Sequence, residues 1–281
     1  MRTIHFYGDS WTKGDGCQFE PGSGRIESSI KFGPDYTKEY AEYSMPAQVK
    51  KLLNNEFNII NNGSSGSSNF QIYGQILKGL SNNTFSKNDI VIVNWTSIIR
   101  EPFTFMFTPE TLNHNPWEGH GIDNSLRGHW SENEWTPFWI TDISNPRMKK
   151  IFKSIFEDFI IDRINYDIFY EICMNYVCNL EIIFKELEVN FLFMNAFENI
   201  ISENVSFYSK INKENWIRFG SSFSEYLHEI ESTLDLSVGY SVWEDDYIKP
   251  GVGNDGPHPN RIGYKYIADL ICEELKFKKI I

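Results

Sequence analysis

The sequence predicts an α/β protein whose parallel sheet is covered by helices on both faces. Three observations carry that reading. Asp89-Ile90-Val91-Ile92-Val93 carries four β-branched residues in a row, of the kind buried on both faces of a central strand. Short apolar segments of strand length alternate with segments of helical spacing along the whole chain. The 281 residues are 41% hydrophobic and 23% charged, an ordinary globular composition with enough apolar material for a sizeable core.

In chain order, Ile4 and Phe6 alternate with polar neighbours, so residues 2–7 read as the first strand, running straight into Gly8-Asp9-Ser10. Residues 14–33 are rich in Gly and Ser, lack helical period and read as loop. Ser44 ahead of Met45-Pro46 offers a hydroxyl cap and a first-turn proline, predicting a helix to about Asn54. A short strand follows at 57–60, then a turn-rich loop at 61–68. Phe70, Tyr73, Ile76, Leu77 and Leu80 have helical spacing and predict a helix over 70–80. After the central strand at 89–93, residues 98–147 show no period but carry Trp117, Trp130, Trp135 and Trp139 with His114, His120 and His129. A stretch this long without regular period is unusual and often functional, and its aromatics suit a small accessory core as well as a substrate surface. Helices are expected at 148–162, 165–188 and 221–230, strands at 191–194 and 238–243, and a closing helix at 260–275. Neither an internal repeat nor a linker is visible, so the expectation is one domain over 1–281 with an insertion at about 98–147.

Charge and composition narrow the function classes. A formal net charge of -12 repels phosphate backbones and anionic membrane surfaces, which argues against nucleic-acid and membrane partners. No apolar run approaches a membrane span, and the first residues lack a signal-peptide pattern, so a cytoplasmic setting is expected. Cys17, Cys173, Cys178 and Cys272 form no CxxC pair and read as free thiols. The three insertion histidines have no metal-ligand spacing. Gly251 to Gly256 matches GxGxxG, but Pro250 precedes it, Pro257 follows it, and no helix opens at its end. Neither a metal nor a cofactor is therefore expected. Oligomeric state is not legible.

Two segments hold groups suited to acyl transfer. Gly8-Asp9-Ser10 follows the first strand and would set a serine at the sheet's carboxyl edge, where ligands of open α/β sheets bind. Asp255-Gly256-Pro257-His258-Pro259-Asn260 precedes the last helix and pairs a histidine with a carboxylate three residues earlier. A histidine base needs such a group to fix its tautomer and stabilise its imidazolium. Each segment taken alone is also an ordinary turn or helix cap.

Together, Gly8-Asp9-Ser10 and Asp255-x-x-His258-Pro-Asn resemble the first and last blocks of the SGNH/GDSL hydrolase family. The resemblance covers scattered blocks, and residues 98–230 match nothing in it. It implies a flavodoxin-like three-layer sandwich and a carboxylic ester hydrolase with Ser10 as nucleophile, His258 as base and Asp255 as its orienting carboxylate. Ile59 to Ser67 is similar to the family's second block, which implies Gly66 as an oxyanion-hole glycine, with Gly63 as the competing choice, and the Ser10 N–H as another donor. In the third block the family has an asparagine; aligning by the strand places Ser97 there, with Thr96, Asn94 and Asn69 as alternatives. The serine hydroxyl is then expected to point at the oxyanion. Asp9, Trp95 and Arg100 are candidate substrate contacts. The expected substrates are small acyl esters, acetyl first, including those of carbohydrates. An O-acyltransferase with the same triad and a catalytically decayed binding or assembly module remain as alternatives.

Overall fold

The structure is a computed structural model, and it describes residues 1–14, 17, 42–64, 66–98, 166–233, 258–259 and 261–281, with the backbone of 103–105 and 136–138. The chain divides into two compact units, Met1–Ile98 with Tyr166–Ile281, and Ile99–Asn165. The second unit takes in most of the segment read as an insertion and continues beyond it. Its described part is an antiparallel pair, β4 (Phe103–Phe105) and β5 (Thr136–Phe138).

The first unit is built on a four-stranded parallel sheet in the order β2-β1-β3-β6, formed by β1 (Thr3–Gly8), β2 (Asn58–Gly63), β3 (Ile90–Trp95) and β6 (Asn190–Asn195). Every residue of β3 is buried, as its unbroken apolar run requires, whereas β2 is an edge strand with no fully buried residue. That edge position explains why β2 runs on through Asn61-Asn62-Gly63, which the sequence reading gave to a loop. Polar side chains are tolerated at an edge, and the register Phe6↔Asn61, Tyr7↔Asn62, Gly8↔Gly63 carries the ladder to the end of β1. β3 likewise extends past Val93, through Asn94↔Met194 and Trp95↔Asn195.

Strand alternation sends one set of side chains to each face. Ile4, Phe6, Ile90, Ile92, Leu192 and Met194 face a core completed by α2 (Met45–Leu52), α5 (Phe223–Thr233) and the closing helix α6 (Arg261–Phe277). On the other face lie α3 (Asn69–Ser81) and α4 (Tyr166–Glu186), with an aromatic series linking Phe85, Phe184, Phe191, Phe193 and Trp95. Each fully buried apolar side chain of these layers contributes about 1.5–3 kcal/mol relative to exposure. The expected strand at 238–243, the helix at 148–162 and most of the loop at 14–33 lie outside the described residues. Among the described residues, no helix is long and apolar enough to cross a membrane.

At the amino edge of the sheet, Asp89 ties strand starts together by accepting from Thr3 N at 3.0 Å and Ser86 N at 2.8 Å. His5 Nε2 lies 3.5 Å from the same carboxylate, beyond good hydrogen-bond range, and its ring meets Phe85 edge-on. Burial holds the His5 imidazole below its ordinary value of 6.5, outweighing the opposing pull of Asp89. The unfolded chain thus binds a proton near pH 6.5 that the folded chain resists, so this residue lowers stability as pH falls through and below that value. His5→Gln should shrink the difference between urea midpoints measured at about pH 7.5 and about pH 5.5, by the mechanism of linked protonation. An unchanged difference would contradict this assignment.

Candidate active site

The strand order places a topological switch point between β1 and β3: the chain leaves β1 to form β2 on one side and β3 on the other. Ligands of open α/β sheets bind at the carboxyl side of such a point. There the chain exits β1 through Asp9 and enters the four-residue helix α1 (Ser10–Lys13). Asp9 is the N-cap, its Oδ1 accepting from Trp11 N at 3.0 Å. Gly8 allows the turn by absence of bulk: a Cβ there would lie 2.1 Å from Thr12 Oγ1. Ser10 is the first helical residue and 3% exposed. Its Oγ is 2.9 Å from His258 Nε2, a hydrogen bond joining positions 248 apart in sequence. Asp255 lies outside the described residues, as does Arg100.

The exit of β3 is held by side chains from three other strand ends. Thr96 Oγ1 donates to Asp9 Oδ2 at 2.7 Å. Asn69, at the start of α3, accepts from Thr96 N at 2.8 Å and donates to Thr96 O at 3.1 Å, so its amide imitates a backbone partner. Ser68 supports it as the N-cap of α3, in a reciprocal capping box with Gln71. Glu198, three residues beyond β6, accepts from Ser97 Oγ at 2.5 Å and Ile98 N at 2.9 Å. Burial raises the pKa of the Tyr170 hydroxyl, and the Glu198 carboxylate adds to the effect.

These contacts engage several of the residues singled out from sequence. A hydroxyl has one proton, and that of Ser97 goes to the Glu198 carboxylate, a stronger acceptor than a neutral oxygen, instead of toward an oxyanion. The Thr96 proton is likewise directed at Asp9. Asn94 is fully buried within β3 and donates to Thr12 Oγ1 at 3.2 Å. Asp9 and Trp95, read as substrate contacts, are both fully buried. Asp9 caps α1 and receives Thr96, while Trp95 packs against Phe193 with ring centroids 6.0 Å apart. Glu198 was not singled out from sequence. Its signal was positional: it follows a strand at the same sheet edge as Ser10 and Ser97.

The two glycines of the β2 exit differ in kind. A Cβ on Gly63 would lie 2.3 Å from Lys13 N, so this glycine lets β2 pack directly on α1. Gly66 is exposed with φ +73, and a Cβ there would meet nothing within 4 Å. Among the described residues, no group of three or more His, Cys, Asp or Glu side chains is placed to hold a metal ion.

No family model matches the chain, and no curated protein matches it. Similar solved structures include a protein described as lipolytic, of the G-D-S-L family, from Desulfitobacterium hafniense (11% identity, covering 98% of this chain and 100% of that one, TM-score 0.43). A lipase/acylhydrolase from Enterococcus faecalis is 13% identical, with 99% and 97% covered and a TM-score of 0.40. An acetylxylan esterase from Geobacillus stearothermophilus is 14% identical, with 98% and 94% covered and a TM-score of 0.44.

The glycine geometry yields a paired test of folding. Gly63→Ala should destabilise the protein by about 1–3 kcal/mol or more through backbone overlap. Gly66→Ala should lose only about 1–2 kcal/mol, the strain of a left-handed conformation. Chemical unfolding of both variants checks the order, and a larger loss at Gly66 would contradict it.

Proposed function

We propose that this chain is a serine ester hydrolase of the SGNH/GDSL type. One observation carries the reading: Ser10 Oγ and His258 Nε2 stand 2.9 Å apart at the switch point of the sheet. That is the distance at which an imidazole can take a hydroxyl proton as the oxygen attacks.

The step sequence follows from those two groups. Ser10 Oγ attacks the ester carbonyl as its proton passes to His258 Nε2. The tetrahedral oxyanion collapses, the imidazolium returns the proton to the departing alkoxide, and an acyl-serine remains. Water, deprotonated by the same nitrogen, attacks the acyl carbon and releases the acid and free Ser10. Asp255 is proposed to hold His258 through its other ring nitrogen and to stabilise the imidazolium. For the oxyanion we propose two backbone donors. The Ser10 N–H is one, since first-turn amides have no partner within their helix. The Gly66 N–H is the other, at an exposed residue that has no side chain and open space where a Cβ would lie. The hydroxyl of Ser97 is assigned instead to anchoring the β3 exit through Glu198.

The substrates we propose are small acyl esters, acetyl first, with esters of carbohydrates the leading class. A chain of net charge -12 suits neutral polar esters better than anionic lipid surfaces.

Hydrolysis of 4-nitrophenyl acetate and of an acetylated-sugar panel tests the reading. Ser10→Ala and His258→Ala should each lower kcat by about 10³-fold or more, as removal of a member of a cooperating unit does. Ser97→Ala should lower it by less than the roughly 10²–10³-fold expected of a lost oxyanion donor. A wild-type protein inert on every ester, or a Ser10→Ala variant of undiminished rate, would overturn the proposal.

A further inference from the structure

We propose that Arg261 is a positioning residue for the Ser10–His258 pair, clamping the segment that follows the nucleophile to the segment that carries the base. The inference rests on the reading of those two residues given above. Arg261 opens α6, three residues after His258. Its Nε donates to the carbonyl of Cys17 at 2.7 Å, joining positions 244 apart in sequence. From Cys17 the backbone leads directly back to the nucleophile: Cys17 N donates to Gly14 O at 3.2 Å, and Gly14 N donates to Ser10 O at 2.9 Å. The same two segments are thus joined twice, once by the reacting pair and once by this guanidinium.

A third segment meets the clamp. The guanidinium lies over the Tyr43 ring, 4.0 Å from its centroid. Tyr43 precedes Ser44, the N-cap of α2, and Ser44 packs so closely on the end of α1 that a Cβ on Gly14 would lie 2.6 Å from its Cβ. One guanidinium therefore holds a carbonyl through its Nε and lies over an aromatic ring, a pairing to which its planar fork is better suited than a lysine ammonium. Helix electrostatics does not account for the residue, because a cation in the first turn faces the positive end of the helix dipole. The carbonyl and the aromatic face account for it.

The consequence concerns distance. The serine–histidine bond spans two segments remote in sequence, and misplacement of reacting groups by about 1 Å lowers a rate by roughly 10²-fold. A second tie close to the pair removes the sliding motion that would open it.

The test compares wild type, Arg261→Gln and Arg261→Lys on 4-nitrophenyl acetate. Active sites are counted by stoichiometric release from a fluorophosphonate, so that kcat refers only to folded, reactive protein. The expected result is a kcat about 10-fold or more lower in both variants, within the range for misplaced reacting groups. KM should stay within about 2-fold, since the clamp does not touch substrate. Unchanged kcat per titrated site in Arg261→Gln, or full rescue by Arg261→Lys, would overturn the clamp while leaving the esterase reading intact. A wild type that neither titrates nor turns over would overturn both.

Discussion

A carboxylate shut away from water must have its oxygens met by donors, and at Asp9 this requirement joins the helix that Ser10 opens to the central strand. One oxygen accepts from Trp11 N and fixes the first turn of α1; the other accepts from Thr96 Oγ1 and fixes that turn against the exit of β3. With the side chain fully buried, each of these donors offsets part of the cost of taking the carboxylate out of water. Ser10 has little freedom of placement once its preceding residue is bound on both sides. The same strand exit is gripped by Asn69 from the start of α3 and by Glu198 from the loop after β6. Side chains that follow β1, β2 and β6 thus all meet the exit of β3 at Thr96, Ser97 and Ile98.

Close packing does the rest of the positioning. Gly8 lets Thr12 approach, Gly63 lets β2 lie on the backbone of α1, and Gly14 turns the chain at φ +103 against Ser44. These glycines let β1, β2 and the start of α2 pack closely on α1 despite its four residues. A helix so short has little stability of its own, so its conformation is imposed by its neighbours. Rigidity of that kind would suit the role proposed for Ser10, whose oxygen would have to be in place before an ester arrives.

Much of this fold was legible because its signals are local. The β-branched run at Ile90–Val93 could only be a buried strand, and Ser44-Met45-Pro46 opened a helix where a cap and a first-turn proline require one. Strand ends were less legible. Asn61, Asn62 and Asn94 are poor strand formers by composition, and parallel pairing with neighbours far along the chain keeps them in the sheet. At the site, Ser10 and His258 were readable as motif residues, and the structure brings them together. The chemistry of Ser97 was not readable, since it depends on Glu198, 101 positions away. The burial of Asp9 and Trp95 was not readable for a related reason: both adjoin the site in sequence, and burial is a property of the folded chain.

The most direct test of the central claim is a crystal structure of the protein after reaction with an alkyl fluorophosphonate, a stable imitation of the tetrahedral acyl intermediate. The account predicts phosphorus bonded to Ser10 Oγ, with its phosphoryl oxygen at about 3 Å from the N–H groups of Ser10 and Gly66. His258 Nε2 should remain within hydrogen-bond reach of the adduct. Reaction at another residue, no reaction, or a phosphoryl oxygen turned away from both amides would contradict it.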